Sequence, residues 1–123
     1  MSGWRSREAR SFRGALAGIA EAMRSEPHMK FHLAAAAIVA LLGAWLKVSR
    51  AEWLWLLLAI ALVWMAELFN TAVERTVDRI SADVHPLSKA AKDAAAGAVL
   101  VAALFAAAAG LIVLGPRLWN FLF

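Results

Sequence analysis

Cysteine is absent from the 123 residues, so no disulfide, thiolate nucleophile or cysteine-based zinc site can be built, and the chain is silent on redox compartment. That leaves metal chemistry to carboxylates, asparagine and histidine. GxxxxGK(S/T) does not occur, nor do the glycine-rich loop, HRD and DFG sequences of protein kinases, so nucleotide chemistry would need an unrelated site. His28, His32 and His85 lack a zinc-like spacing such as HExxH and are not expected to bind metal. No apolar run follows Arg5, Arg7, Arg10 and Arg13 closely enough for a signal peptide to be expected. Repeats, low-complexity linkers and a second domain are also missing. The alanine runs at 34–37, 94–96 and 106–109 reflect Ala-rich helices, and the length leaves room for one domain spanning residues 1–123.

What is present is apolar. Hydrophobic residues make up 63% of the chain, against roughly 45–50% in an ordinary soluble domain. The 18% of charged residues are unevenly placed, with nine arginines, lysines and glutamates in the first 30 positions and long uncharged stretches after them. A membrane-crossing helix needs about 20 mainly apolar residues. Three segments qualify: Phe31 to Leu46, Trp53 to Val73 with Glu67 and Asn70 inside it, and Ala94 to Gly115 without a charge. With their flanks they predict transmembrane helices over about 29–47, 52–75 and 92–115. The fold class expected is therefore an all-α membrane protein. The net charge of +4 is read as a topology signal beside anionic lipid rather than as a nucleic-acid surface.

Ahead of the spans, Phe12, Leu16, Ile19 and Met23 recur at helical spacing while Arg10, Arg13, Glu21 and Arg24 fall largely elsewhere. This predicts an amphipathic helix over about 10–25, lying on the membrane surface or packed on its own bundle. Ser25, Glu26 and Pro27 then mark a break and restart, which puts Glu26 at a corner. With the N-terminus in the cytoplasm, ten basic residues fall inside: Arg5, Arg7, Arg10, Arg13, Arg24, Lys30, Arg75, Arg79, Lys89 and Lys92. Lys47, Arg50 and Arg117 fall outside, and the asymmetry fixes the orientation. Trp45, Trp53, Trp55 and Trp119 then gather at the outer interface, where indoles prefer to sit. The segment from Thr76 to Lys92 is expected to be the cytoplasmic connection, with a turn marked by Asp83, Pro86 and Ser88.

Glu67, Asn70, Glu74 and Asp78 follow one another at i, i+3, i+7 and i+11, which keeps them within an arc of about 80° on one helix face. A carboxylate placed in the hydrocarbon costs about 2.5–3.5 kcal/mol, so Glu67 needs a partner or a purpose. The bland alternative is a salt bridge from Glu67 to Lys92 or to a neighbouring subunit. Acid and amide oxygens are also what Mg²⁺ selects, through one or two carboxylates together with substrate phosphates. Glu74 and Glu26 could supply them. Lys92 and Asp93 precede the third span, either as topological markers or with Lys92 holding phosphate oxygens near a helix N-terminus. Gly97 and its alanine neighbours offer close helix packing within or between chains.

Two stretches, AELFNTAVERTVDRI from Ala66 to Ile80 and HPLSKAAKDAAAGAVL from His85 to Leu100, resemble the signatures of the prokaryotic diacylglycerol kinase family, which includes undecaprenol kinases. The resemblance continues through SEPHMKFHL and covers roughly residues 10–115. It implies a homotrimeric enzyme of the bacterial inner membrane, with its active site facing the cytoplasm, transferring the γ-phosphoryl group of ATP to a lipid hydroxyl with Mg²⁺. By the same resemblance Glu67 is the general base, Glu26 and Glu74 bind metal, and Asn70 lies in the active site against substrate. Lys92 and Asp93 belong to the nucleotide site with Glu26, Glu74 and Asn70, joined by Asp78 and His85 and, more remotely, Arg7 and Arg10. Gly14 stands where many members carry Tyr, and Ala96 where some diacylglycerol kinases have Ser. Diacylglycerol is the expected acceptor and undecaprenol the runner-up. The reading from another class is a noncatalytic bundle that uses the polar stripe for ion passage or helix pairing.

Overall fold

The computed structural model describes residues 2–80 and 83–123. Four helices follow in order, α1 Ser2–Ser25, α2 Pro27–Trp45, α3 Arg50–Ile80 and α4 Pro86–Leu122, with no strand among the described residues. The last three are long and apolar enough to cross a membrane. The expected three-span architecture behind an N-terminal helix is what the chain adopts.

All four helices exceed or shift the bounds expected from hydropathy. α1 begins at Ser2 rather than near residue 10, because its polar first turns are held by side chains that bond back to their own helix: Ser6 Oγ and Arg7 Nε donate to the Gly3 carbonyl and Arg10 Nε to that of Ser6. At 31 and 37 residues, α3 and α4 extend for about 46 and 55 Å, against a hydrocarbon layer of about 30 Å. The surplus turns exceed what one hydrocarbon layer accommodates. They carry Glu74, Arg75 and Asp78 on α3 and Lys89, Lys92 and Asp93 on α4.

The connection between the second and third spans is correspondingly shorter than the expected Thr76–Lys92, since helix ends at Ile80 and resumes at Pro86. Pro86 opens α4 rather than marking a mid-loop turn. Its fixed φ suits the first helical position, and His85 in extended conformation caps the helix, Nδ1 accepting from Leu87 N–H at 3.1 Å.

Glu26 is the corner between α1 and α2. It precedes a proline, which disfavours helical backbone, and it adopts φ −106°, ψ 115°. Beneath the corner Ala22 and Met29 are buried. Farther toward the N-terminus, α1 leaves Trp4, Phe12 and Leu16 exposed. Packing of α1 along its own bundle is thus confined to its C-terminal end, and the free apolar face suits a membrane interface.

At the opposite end, α2 closes with two backbone bonds, Lys47 N–H to Ala44 at 3.3 Å and Val48 N–H to Gly43 at 3.1 Å, with Lys47 left-handed at φ 55°. Ser49 and Glu52 then form a reciprocal capping box that starts α3. Arg117 of α4 pairs with Glu52 and reaches the Leu46 and Lys47 carbonyls at 3.4 Å. One arginine thereby ties three helices together. Above it Val48, Leu56, Val113 and Leu114 form a core with Val39, Leu42, Leu46 and Trp53 around it.

Gly43 is the close-approach point of that core: a Cβ there would meet Trp53 Cη2 at 2.8 Å. Gly43→Ala is therefore expected to destabilise the bundle by about 1–3 kcal/mol through overpacking. Thermal unfolding in detergent checks this, and an unchanged midpoint would contradict it.

Candidate active site

The buried stripe of α3 runs Leu56, Ala59, Val63, Glu67, Thr71, one residue every three or four positions. Glu67 thus continues a hydrophobic seam and is only 4% exposed. An ionisable group so placed needs compensation. It comes from α2, where His32 Nε2 lies 3.1 Å from Glu67 Oε1. A carboxylate only accepts, so the imidazole N–H is the donor. The alternative partner Lys92 does not reach Glu67. Lys92 stands opposite Asp78, eleven residues and about 16 Å farther along α3, beyond a lysine side chain.

Toward the C-terminal end of α3 the stripe divides among separate partners. Asn70 Nδ2 donates to Glu74 Oε1 at 3.3 Å, while Asn70 Oδ1 is buried with no hydrogen-bond partner. Asp78 pairs with Lys92, joining α3 to α4, and Asp93 pairs with Lys89 one turn back along α4. Next to these a recess of about 260 Å³ opens at the α3–α4 turn, lined by Asp78, Asp83, His85, Ser88, Lys92 and Asp93 among others. Four of the expected nucleotide residues therefore do meet: Asp78, His85, Lys92 and Asp93.

Glu26 is instead engaged with Arg75, one of the ten basic residues of the topology count. Arg75 donates to both carboxylate oxygens of Glu21, to Ser25 Oγ at 2.8 Å, and at 3.5 Å to Glu26 Oε1. Its position one residue after Glu74 was visible, but nothing in the sequence indicated which acids from α1 would fold onto it. The hydrogen bond from Arg75, with its charge, holds the Glu21 carboxyl below its ordinary value. A lowered folded-state pKa means that the contact is in place at neutral pH and is lost as pH falls through that lowered value. Either acidification well below 4.5 or Arg75→Ala is expected to loosen the α1–α3 junction. Hydrogen exchange across residues 20–26 should accelerate, with the middle of α3 unaffected; equal protection in the variant would contradict the clamp.

Arg7 and Arg10 are not brought to this cluster. Their guanidinium groups bond to carbonyls of α1 itself, and both residues are exposed. His28 is exposed as well, and among the described residues no group of three or more His, Asp and Glu side chains is gathered for a metal. Fit to a hard divalent cation rests on the donors beside Asn70. A buried amide oxygen without a donor and a neighbouring carboxylate suit Mg²⁺, which takes one or two protein oxygens and completes its shell with phosphate and water.

A second cavity, of about 200 Å³, lies between the spans. It is walled by Phe31, Val39, Leu56, Val63 and Trp64, and His32 faces it at the Glu67 end. Apolar throughout except for His32, it is shaped for the tail-bearing side of an amphiphile rather than for a water-soluble ligand.

Fold and site together define a small three-span membrane protein in which one helix carries a buried carboxylate below a surface cluster of ion pairs. Residues 13–114 match the family described as prokaryotic diacylglycerol kinase. The undecaprenol kinase of Bacillus subtilis is 46% identical over 109 residues, 89% of either chain. A diacylglycerol kinase of Synechocystis is 38% identical over 109 residues, which are 88% of this chain and 62% of that one. One from Pseudomonas aeruginosa is 38% identical over 87 residues, 71% of each. The chain belongs to the prokaryotic diacylglycerol kinase family, and its relatives are lipid kinases.

Proposed function

We propose that the chain is an ATP-dependent kinase that phosphorylates the free hydroxyl of diacylglycerol to form phosphatidic acid at the cytoplasmic face of the bacterial inner membrane. The observation that carries this is the arrangement along α3, with Glu67 buried in the apolar seam and Glu74, Asp78 and its partner Lys92 farther along toward the exposed end. A lipid alcohol approaches from one phase and a nucleotide from the other, and the same helix addresses both.

In this reading Glu67 accepts the hydrogen bond of the acceptor hydroxyl. The hydroxyl oxygen forms a bond to the γ-phosphorus while the bond to the bridging oxygen of ADP breaks, and the proton passes to Glu67. Lys92 exchanges Asp78 for phosphate oxygens, with Asp93 and His85 at the edge of the same recess. Asn70 and Glu74, together with Glu26, would hold Mg²⁺, which would supply charge neutralisation for the transferring phosphates. Phosphoryl transfer asks chiefly for alignment and charge neutralisation, and this set of residues supplies both.

The assembly proposed is a homotrimer with sites shared between subunits. Little of α2 is buried within the chain, and Arg7 and Arg10 lie apart from their own chain's recess, so both have surface to offer a neighbouring copy. Undecaprenol is the second acceptor reading, favoured by the 46% identity to an undecaprenol kinase.

The test is transfer of label from γ-labelled ATP, with Mg²⁺, to each lipid in turn by the purified protein in mixed micelles. Labelled phosphatidic acid is the expected product. Label only in undecaprenyl phosphate would replace the acceptor, and label in neither lipid with the assembly intact would leave the noncatalytic bundle.

A further inference from the structure

His32 enters the architecture as more than a residue that neutralises a buried acid. Glu67 comes from α3 and His32 from α2, so their contact is a cross-helix one, made at 3.1 Å between Nε2 and Oε1. The two side chains are 16% and 5% exposed, which shields the bond from water and from competing donors. The imidazole is itself braced, because the Phe31 ring meets it nearly edge-on, with centroids 5.4 Å apart and planes at 77°. Its other flank faces the apolar cavity between the spans. His32 therefore both lines the apolar cavity and holds the buried carboxylate.

A glutamate has three side-chain torsions, and a carboxylate that must meet one lipid hydroxyl gains from having them fixed beforehand. A donor on one oxygen does this without occupying the other. We propose that His32 is a positioning residue for lipid phosphorylation: its N–H holds Oε1 of Glu67 and leaves Oε2 directed to the acceptor hydroxyl at the end of the tail cavity. The proposal rests on the reading of Glu67 as the base. It assigns no proton transfer to the imidazole. Its content is that a neutral N–H of the right reach is what the position requires.

Three variants, assayed in the assembled protein with diacylglycerol and Mg·ATP, test it. Gln places an amide N–H at a reach similar to that of Nε2, Asn places one too short to span the gap, and Leu offers none. Loss of alignment is expected to lower kcat by about 10- to 100-fold in His32→Leu and His32→Asn, while His32→Gln stays within about threefold of the parent. The KM for Mg·ATP is expected to change less than about twofold in all three, since the nucleotide recess lies at the other end of the stripe. A general packing role would not separate Gln from Asn, and if His32→Leu fails to assemble, that pair still decides. His32→Leu with unchanged kcat, His32→Gln as slow as His32→Asn, or a loss expressed mainly in the KM for ATP would each overturn the proposal. Absence of lipid phosphorylation by the parent protein is a different result, and it removes the kinase reading itself.

Discussion

Glu67→Gln is expected to lower kcat for lipid phosphorylation by about 10²- to 10⁴-fold while the protein still folds and assembles. Glutamine keeps an oxygen that can accept from His32 at 3.1 Å, so the cross-helix hydrogen bond survives the substitution. What disappears is the capacity to take a proton from the acceptor hydroxyl. The two roles open to a buried carboxylate on this seam therefore separate cleanly. An acid that serves only as a hydrogen-bond acceptor would tolerate Gln, because a neutral amide is easier to bury than a carboxylate and the variant should then be at least as stable. A base would not tolerate it. Parallel measurement of turnover, thermal midpoint and oligomer size gives the answer, and near-parental turnover would end the assignment of Glu67 as base. Equal loss of turnover and of assembly would point to the ion-pair role.

The spans were legible because hydrophobic length is a direct reading of the solvent that surrounds them. Ala94 to Gly115 has no charge, and α4 covers it entirely. Helix ends were less legible, since hydropathy reports where lipid stops and not where backbone hydrogen bonding stops. α3 persists to Ile80 and α4 starts at Pro86 because caps and ion pairs, not apolar surface, stabilise those turns. The S-x-x-E box at Ser49 to Glu52 is legible in the sequence, and it accounts for the start of α3. The left-handed Lys47 was not readable, as that conformation is usually given to glycine.

In the site, periodicity along α3 placed Glu67, Asn70, Glu74 and Asp78 on one side correctly, because that spacing is a property of one helix. Partners across helices were another matter. Glu67 meets His32 rather than Lys92, and Glu26 shares Arg75 with Glu21, pairings that depend on the rotation and axial offset of packed helices. His32 shows no metal-ligand spacing in the sequence. Its spacing carried no signal, and only the fold brings it to the one acid buried in the seam.

Lys92 gives the other large effect, on the nucleotide side. In the structure its ammonium is held by Asp78 across the α3–α4 recess. A triphosphate brings more negative charge than one aspartate, so the lysine is expected to change partners on binding. Lys92→Ala should then raise the KM for Mg·ATP by about tenfold or more, the loss of one charge-assisted contact, and change the KM for lipid by less than about twofold. Asp78→Asn separates this from a role in merely holding α3 to α4. It breaks the same ion pair but leaves the lysine for phosphate, so it should reproduce any loss of thermal stability seen in Lys92→Ala without the rise in KM for ATP. If the two variants shift the KM for ATP alike, Lys92 acts through the helix contact. If the KM for lipid rises instead, the recess belongs to the acceptor and the division of α3 into a lipid half and a nucleotide half is wrong.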